Sequence, residues 1–166
     1  MRRAGLTIVA LLTVTALTTA YSPRTNGNTF GNQDYLLLEN LGKRTGVFRR
    51  DVLDSQRALP PSSTYECMNE IFHEVDKVED TLHEITALIS TSGGMINSTD
   101  ELIVNTLISI EANHAVDQLI KLRHGINLSA GYCSNSAIVT TKAQYALSLF
   151  TEIENALRLI ARRVTS

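Results

Sequence analysis

Two stretches of the chain keep apolar residues at alternating steps of three and four positions. Side chains spaced in this way fall on one face of an α-helix and form the seam through which a helix packs in a bundle. The first run is Met68, Ile71, Val75, Val78, Leu82, Ile85 and Ile89, and the second is Val139, Ala143, Ala146, Phe150, Ile153, Leu157, Ile160 and Val164. The pattern predicts two long amphipathic helices.

Start and stop signals give the bounds of three predicted helices. Ser63 followed by Glu66 matches a capping box, and so does Ser98 followed by Glu101. Gly125 before an isoleucine resembles a glycine C-cap. The predicted helices are 64–90, 98–125 and 136–163. Apolar positions cover a broader face of the second helix than of the other two, as expected of an element packed on both neighbours.

The segment before these helices has a different composition. Residues 21–61 open with Ser, Pro, Asn and Gly, hold a short apolar patch at Leu36-Leu37-Leu38, and end in Pro60-Pro61. Such a segment buries little surface, which predicts a flexible leader or propeptide. We therefore expect an all-α, antiparallel up-down-up bundle of three long helices over 62–166, to which the leader adds at most a short fourth helix.

The first twenty residues have the organisation of a secretory signal peptide. Arg2 and Arg3 precede an apolar stretch at 4–17, and small residues lead up to Ala20. We expect cleavage after Ala20 and a secreted, extracellular product, the alternative being retention as an N-terminal anchor. No later segment has about 18 uninterrupted apolar residues, so no membrane span is expected.

Cys67 and Cys133 are the only cysteines. In an oxidising compartment such a pair is most simply one disulfide. Cys67 lies in the first turn of the first predicted helix and Cys133 in the last connection, so an up-down-up topology brings both to the same end. The bond closes a loop of about 67 residues, which in the chain-entropy model stabilises the fold by roughly 4 kcal/mol.

Two glycosylation sequons agree with secretion. They begin at Asn97 and Asn127, and both fall in predicted connections between helices, where a glycan is accommodated.

Charge is distributed unevenly along the chain. From Asp51 onward there are 15 Asp and Glu against 8 Lys and Arg, a net charge of −7. An acidic body argues against nucleic acid and against anionic membrane surfaces, because both need a basic patch.

The first predicted helix carries most of the candidate metal ligands. His73 with Asp76, and Asp80 with His83 and Glu84, have spacings that a metal could use, but these positions fall outside the apolar seam. The chain has no HExxH motif and no Cys/His cluster, so we interpret the residues as a solvated acidic face and expect no metal and no cofactor.

The sequence also lacks a recognisable set of catalytic residues. His114 and Asn105 lie on or near the apolar side of the second predicted helix, where a lone histidine is more often a hydrogen-bonded structural residue than a base. A nucleophile would need a base and an orienting group, and no serine has a glycine-elbow context. We expect a protein that is not an enzyme.

The leader holds two dibasic pairs. Gly42-Lys43-Arg44 is the sequence that a prohormone convertase and an amidating enzyme recognise, and Arg49-Arg50 is a second pair. Cleavage there would release a peptide ending in Leu41.

These observations favour a secreted, non-enzymatic protein that binds an extracellular macromolecule, as an inhibitor, effector or cytokine-like ligand. An acidic stripe on the first predicted helix would steer it to a basic surface. One alternative is a prohormone-type precursor processed at Lys43-Arg44. Another is a carrier of a small apolar ligand held beside Ala143 and Ala146. Homo-oligomers through the heptad faces are a further alternative.

The secreted product tests the processing predictions directly. We expect N-terminal sequencing to start at Tyr21 and the intact mass to fall on glycosidase treatment. A chain starting at Thr45 or Asp51, with an amidated peptide ending at Leu41, would instead establish the precursor alternative.

Overall fold

The structure is a computed structural model that describes residues 32–92 and 98–163 of the chain. It contains four α-helices: α1 at Asn32–Arg57, α2 at Ser63–Ser92, α3 at Ser98–Tyr132 and α4 at Ala137–Arg163. A disulfide joins Cys67 to Cys133. The predicted all-helical class with one disulfide is confirmed. The expectation of three long helices and a short fourth is not, because α1 has 26 residues.

Helix α1 occupies most of the segment that we expected to be a flexible leader. Its buried seam is Leu38, Leu41, Thr45, Phe48, Val52 and Gln56, which again steps by three and four. Two of these six positions are polar, so the sequence does not show an uninterrupted apolar repeat here. Both are satisfied in the fold, since the Thr45 hydroxyl donates to the Leu41 carbonyl at 2.8 Å and the Gln56 amide donates to Asn69 Oδ1 at 2.7 Å.

Contacts between helices show that each helix runs antiparallel to the next in the chain. Along α1, Gln56 meets Asn69 of α2, while Arg49, about two turns earlier, meets Glu79 further along α2. Between α2 and α3, the disulfide joins Cys67 to Cys133, while Glu74, further along α2, lies against Gly125, earlier in α3. Between α3 and α4, Arg123 meets Glu154, while Ser109, earlier in α3, donates to the carbonyl of Ala161, further along α4.

The fourth side of the bundle is closed by α1 and α4. Arg44 bonds to Glu152, and Asp51 bonds to Lys142. Helices α2 and α4 also contact each other across the bundle. Within the described ranges, α1 and α3 do not.

The two heptad runs form the centre of the core. Every member of both runs within the described residues is buried, and Phe150, Met68 and Ile153 have no exposed surface. Val164, the last member of the second run, lies outside the described residues. Both seams are buried within one chain, so neither is exposed to form the coiled-coil oligomer considered above.

The N-cap of α2 lies one residue earlier than the sequence suggests. Ser62, not Ser63, is the N-cap: its side-chain oxygen accepts from the Tyr65 amide at 3.3 Å and its carbonyl accepts from the Glu66 amide at 3.1 Å. Pro60 and Pro61 directly before it separate α1 from α2.

Helix α3 continues past Gly125, where we predicted its end. Glycine inside a helix costs about 1 kcal/mol relative to alanine. Continuing the helix buries Ile126 completely, which contributes about 1.5–3 kcal/mol, and brings Cys133 to its disulfide partner. Tertiary packing therefore overrides the local stop signal.

Replacing Ile153 by Asp tests the central position of α4. An unpaired charge in this fully buried site is expected to cost several kcal/mol and to unfold the domain. The matched control is Leu159→Asp on the same helix, which is 56% exposed and should change stability by only about 0.5 kcal/mol. Thermal melts followed by circular dichroism would contradict the assignment if both variants melted like the unmodified protein.

Candidate interaction surfaces

Four carboxylates form a stripe on the outer face of α2. Glu66, Glu70, Asp80 and Glu84 are exposed, and none of them makes an ion pair within the described part of the chain. At 3.6 residues per turn they lie within about 80° of the helix circumference and span about 27 Å along its axis. We call these four residues the acidic stripe.

Carboxylates at the border between α2 and α1 are paired instead. Arg49 of α1 lies 3.1 Å from Asp76 and also hydrogen-bonds Glu79. Gly46 makes room for this contact, because a Cβ there would lie 2.5 Å from Glu79 Oε1. The carboxylates of α2 therefore include a paired set that docks α1 and an unpaired set that faces solvent.

Glu74 departs from the expectation that this charged face is solvated, since it is buried against α3. Its Oε1 accepts a hydrogen bond from Lys77 at 3.1 Å, whereas Oε2 has no partner among the described atoms. A Cβ on Gly125 would lie 3.6 Å from the carboxylate, so this glycine lets the group pack close to α3. The Lys77 ammonium is paired with Glu74, and its side chain lies on the same face as the acidic stripe, between Glu70 and Asp80.

The candidate ligands do not converge on a metal site. His73, Asp80, His83 and Glu84 are exposed along α2, and Asp76 pairs with Arg49. Within residues 32–92 and 98–163, no group of three or more His, Cys, Asp or Glu side chains has an arrangement that could hold a metal ion.

His114 and Asn105 separate in the structure. His114 is exposed and contacts Gln118 at 3.3 Å, so the expected position on the apolar side is wrong for this residue. Asn105 is buried, and its Oδ1 has no hydrogen-bond partner among the described atoms. The two side chains do not form a common site.

Both dibasic pairs lie inside α1. Arg44 donates to both carboxylate oxygens of Glu152, at 2.6 and 3.1 Å, and Lys43 pairs with Glu39 at 3.0 Å. Arg49 is held by Asp76 and Glu79, and Arg50 donates to the Gly46 carbonyl at 3.3 Å. Cleavage at either pair would require this helix to unwind.

Asn127 lies in α3, not in a connection between helices. Its side chain is exposed, while the hydroxyl-bearing residue of its sequon, Ser129, is buried. A glycan attached at Asn127 would project from the helix surface. Asn97 and the predicted cleavage site after Ala20 lie outside the described residues.

A cavity of about 10 Å³ lies between α2, α3 and α4 and is lined by apolar residues that include Leu82, Leu119 and Ile153. This volume admits about one water molecule, whereas ligand sites measure about 300 Å³ or more. Ala143 and Ala146 are buried but do not line it. The cavity is therefore too small for the carrier alternative.

The outer face of α3 carries a concentration of exposed apolar side chains. Six of the eleven large exposed apolar residues in the described ranges lie on this helix, with exposures of 51–80%: Leu102, Ile103, Ile110, Ile120, Leu128 and Tyr132. At 3.6 residues per turn they share about 120° of the circumference. We call these six residues the α3 outer row.

Sequence reasoning missed this row because it assigned the broad apolar face of α3 to packing on two neighbours. The inner face does pack, through residues such as Ile108, Ala112 and Leu119. The missed signal is that α3 is apolar on both sides, which leaves one side without a partner inside the chain.

None of the helices in the described part of the chain is long and apolar enough to cross a membrane. Comparison of the chain with protein-family models, with curated proteins and with solved structures finds no match.

The Arg44–Glu152 contact shifts the ionisation of both groups. Hydrogen bonding from the guanidinium lowers the pKa of the Glu152 carboxyl below its ordinary value, and the carboxylate raises the pKa of Arg44. Because the folded pKa of Glu152 is depressed, its contribution to stability is present above the unfolded pKa and is lost as the pH falls through the folded value.

Replacing Arg44 by Gln should therefore raise the pKa of Glu152 towards its ordinary value. The measurement is an NMR titration of the side-chain carboxyl carbon. Arg50→Gln is the control, because Arg50 lies on the same helix but donates to a backbone carbonyl. An unchanged Glu152 titration in the Arg44 variant would contradict the contact between α1 and α4.

Proposed function

We propose that the protein is secreted after removal of residues 1–20 and acts, without catalysis, by binding an extracellular protein with a basic surface. The observation that carries the proposal is the acidic stripe of α2, which combines exposure with the lack of an ion pair within the described residues. Neighbouring carboxylates that have a cationic partner within the chain serve the fold. Those of the stripe remain for an outside partner.

Charge and rigidity add support. Residues 32–163, which include α1, carry 17 Asp and Glu against 12 Lys and Arg, and this net charge of −5 gives the bundle an overall field of the same sign as the stripe. Such a field raises the association rate with a cationic partner by about 10- to 1,000-fold at low salt. The disulfide adjoins Glu66 in sequence and fixes the end of α2 where the stripe begins, so little freedom is lost on binding.

Secretion is part of this proposal and is supported by the same disulfide, because such bonds persist in oxidising compartments. The precursor alternative gains no support from α1, where the dibasic pairs lie in helical backbone with their side chains in polar contacts.

The first step of the test is to isolate the partner. The purified protein is crosslinked in the extracellular fluid into which it is secreted, and the captured protein is identified by mass spectrometry. Association rates of the pure partner are then measured at low and at physiological ionic strength.

Neutralising half of the stripe, in the variant Glu70→Gln/Glu84→Gln, should slow association about 3- to 10-fold at low salt, and salt should diminish the difference. The matched control is Asp54→Asn/Glu111→Gln, which removes two exposed charges from α1 and α3. Equal effects of the two double variants, or no effect of either, would contradict the proposal.

A further inference from the structure

Two charged residues lie on the same face of α3 as the outer row, and their placement suggests what the row binds. Asp117 and Lys121 are exposed, lie on the same face as Ile110 and Leu128, and make no ion pair within the described residues. Four residues of this face, Ile110, Asp117, Lys121 and Leu128, follow the order apolar, acidic, basic, apolar at spacings of seven, four and seven residues. The other exposed residues of the face between them are Asn113, His114, Ile120 and His124. The pattern of the first four is symmetric in spacing and opposite in charge about position 119.

We propose that the α3 outer row binds the α3 outer row of a second copy of this chain in antiparallel orientation, around a two-fold axis beside position 119. A two-fold interface pairs residue i of one copy with residue j of the other, and j with i. A two-fold axis at this position places Ile110 of each copy against Leu128 of the other. It likewise places Asp117 of each copy against Lys121 of the other.

Charge selects the antiparallel arrangement over the parallel one. In a parallel pair each Asp117 would face its own counterpart, and each Lys121 likewise, and like charges brought together at an interface are strongly unfavourable. In the antiparallel pair both contacts join opposite charges. Ile120 lies level with the axis but about 80° around the helix from Ile110 and Leu128, so the two copies of this side chain lie along one edge of the interface.

The rest of the bundle leaves the row accessible to a second copy. Helix α3 packs on α2 and α4 and has no contact with α1, so its outer face lies away from the other helices described. Asn127 lies about 100° around the helix from Leu128, which places a glycan there at the edge of the contact and not within it.

The extent of the row sets the expected strength of the pair. The overlap of 106–132 on both copies leaves Leu102 and Ile103 outside the contact and is about 40 Å long and one helix diameter, about 10–12 Å, wide. It covers roughly 400–500 Å² on each copy in projection, below the size of a typical stable interface. We therefore expect a dimer that forms and dissociates with concentration.

Sedimentation velocity of the secreted chain from about 1 to 500 µM tests the proposal, with dimer expected to appear in the micromolar range. Asp117→Lys and Lys121→Asp should each weaken self-association by about tenfold or more, because each places like charges together twice. An equimolar mixture of the two variants restores both opposite-charge contacts, so the mixture should dimerise at least as well as the unmodified chain.

Ile110→Asp provides a second variant that does not alter the charged pair. It should abolish the dimer, whereas Leu159→Asp, an equally exposed position on α4, should leave it unchanged. Circular dichroism melts of all variants distinguish loss of pairing from loss of folding. The melts of the charge variants should resemble that of the unmodified protein.

Three outcomes would overturn the inference: a monomer over the whole concentration range, single charge variants that dimerise normally, or a mixture that fails to recover pairing. A monomer whose α3 row binds a different extracellular protein would likewise assign the row to that protein. None of these outcomes bears on the acidic stripe, because its four residues are untouched in every variant.

Discussion

The buried apolar seams of α2 and α4 are the constraint on which the rest of the bundle depends. These helices carry the two uninterrupted apolar heptad runs, and they touch across the bundle while α1 and α3 do not touch each other in the described ranges. Helices α1 and α3 therefore occupy the two opposite grooves that this central pair creates. The Cys67–Cys133 bond ties the start of α2 to the end of α3 and so closes one end of this arrangement.

The two outer helices are held by different chemistry. Helix α3 buries aliphatic residues along its inner face, whereas the seam of α1 includes Thr45 and Gln56 and is bordered by ion pairs to both neighbours. Exposed ion pairs contribute about 0–1 kcal/mol each, but a buried Leu, Val or Phe contributes about 1.5–3 kcal/mol. The four buried apolar side chains of α1 therefore supply most of its attachment, and the ion pairs chiefly fix its register.

The limits of sequence reasoning follow from the same division. The heptad runs of α2 and α4 are uninterrupted, so their helices could be predicted closely from spacing alone. Helix α1 could not, because its two polar seam positions are satisfied by bonds to Leu41 O and Asn69, and the latter bond exists only after the chain has folded. The predicted end of α3 at Gly125 was wrong for a related reason. The local stop signal is outweighed by burial of Ile126, which depends on contacts distant in sequence.

The candidate surfaces show the same contrast. The acidic stripe could be anticipated because exposed positions on α2 follow directly from its seam, although the burial of Glu74 against Gly125 could not. The α3 outer row required knowledge of which side of a broadly apolar helix the bundle covers.

The two proposed surfaces lie on adjacent helices and complement each other physically. An exposed acidic stripe interacts weakly with any single basic site, because water and salt screen the contact. In the proposed pair, two copies joined through α3 would present two stripes on one body. A partner with two basic sites at the matching separation would then bind the second stripe in an intramolecular step, which raises avidity by about 100- to 10,000-fold without any new contact. Weak self-association through α3 would thus make binding of the partner by α2 dependent on protein concentration. The apolar row would set how many acidic stripes the partner meets, and the stripes would make the contact.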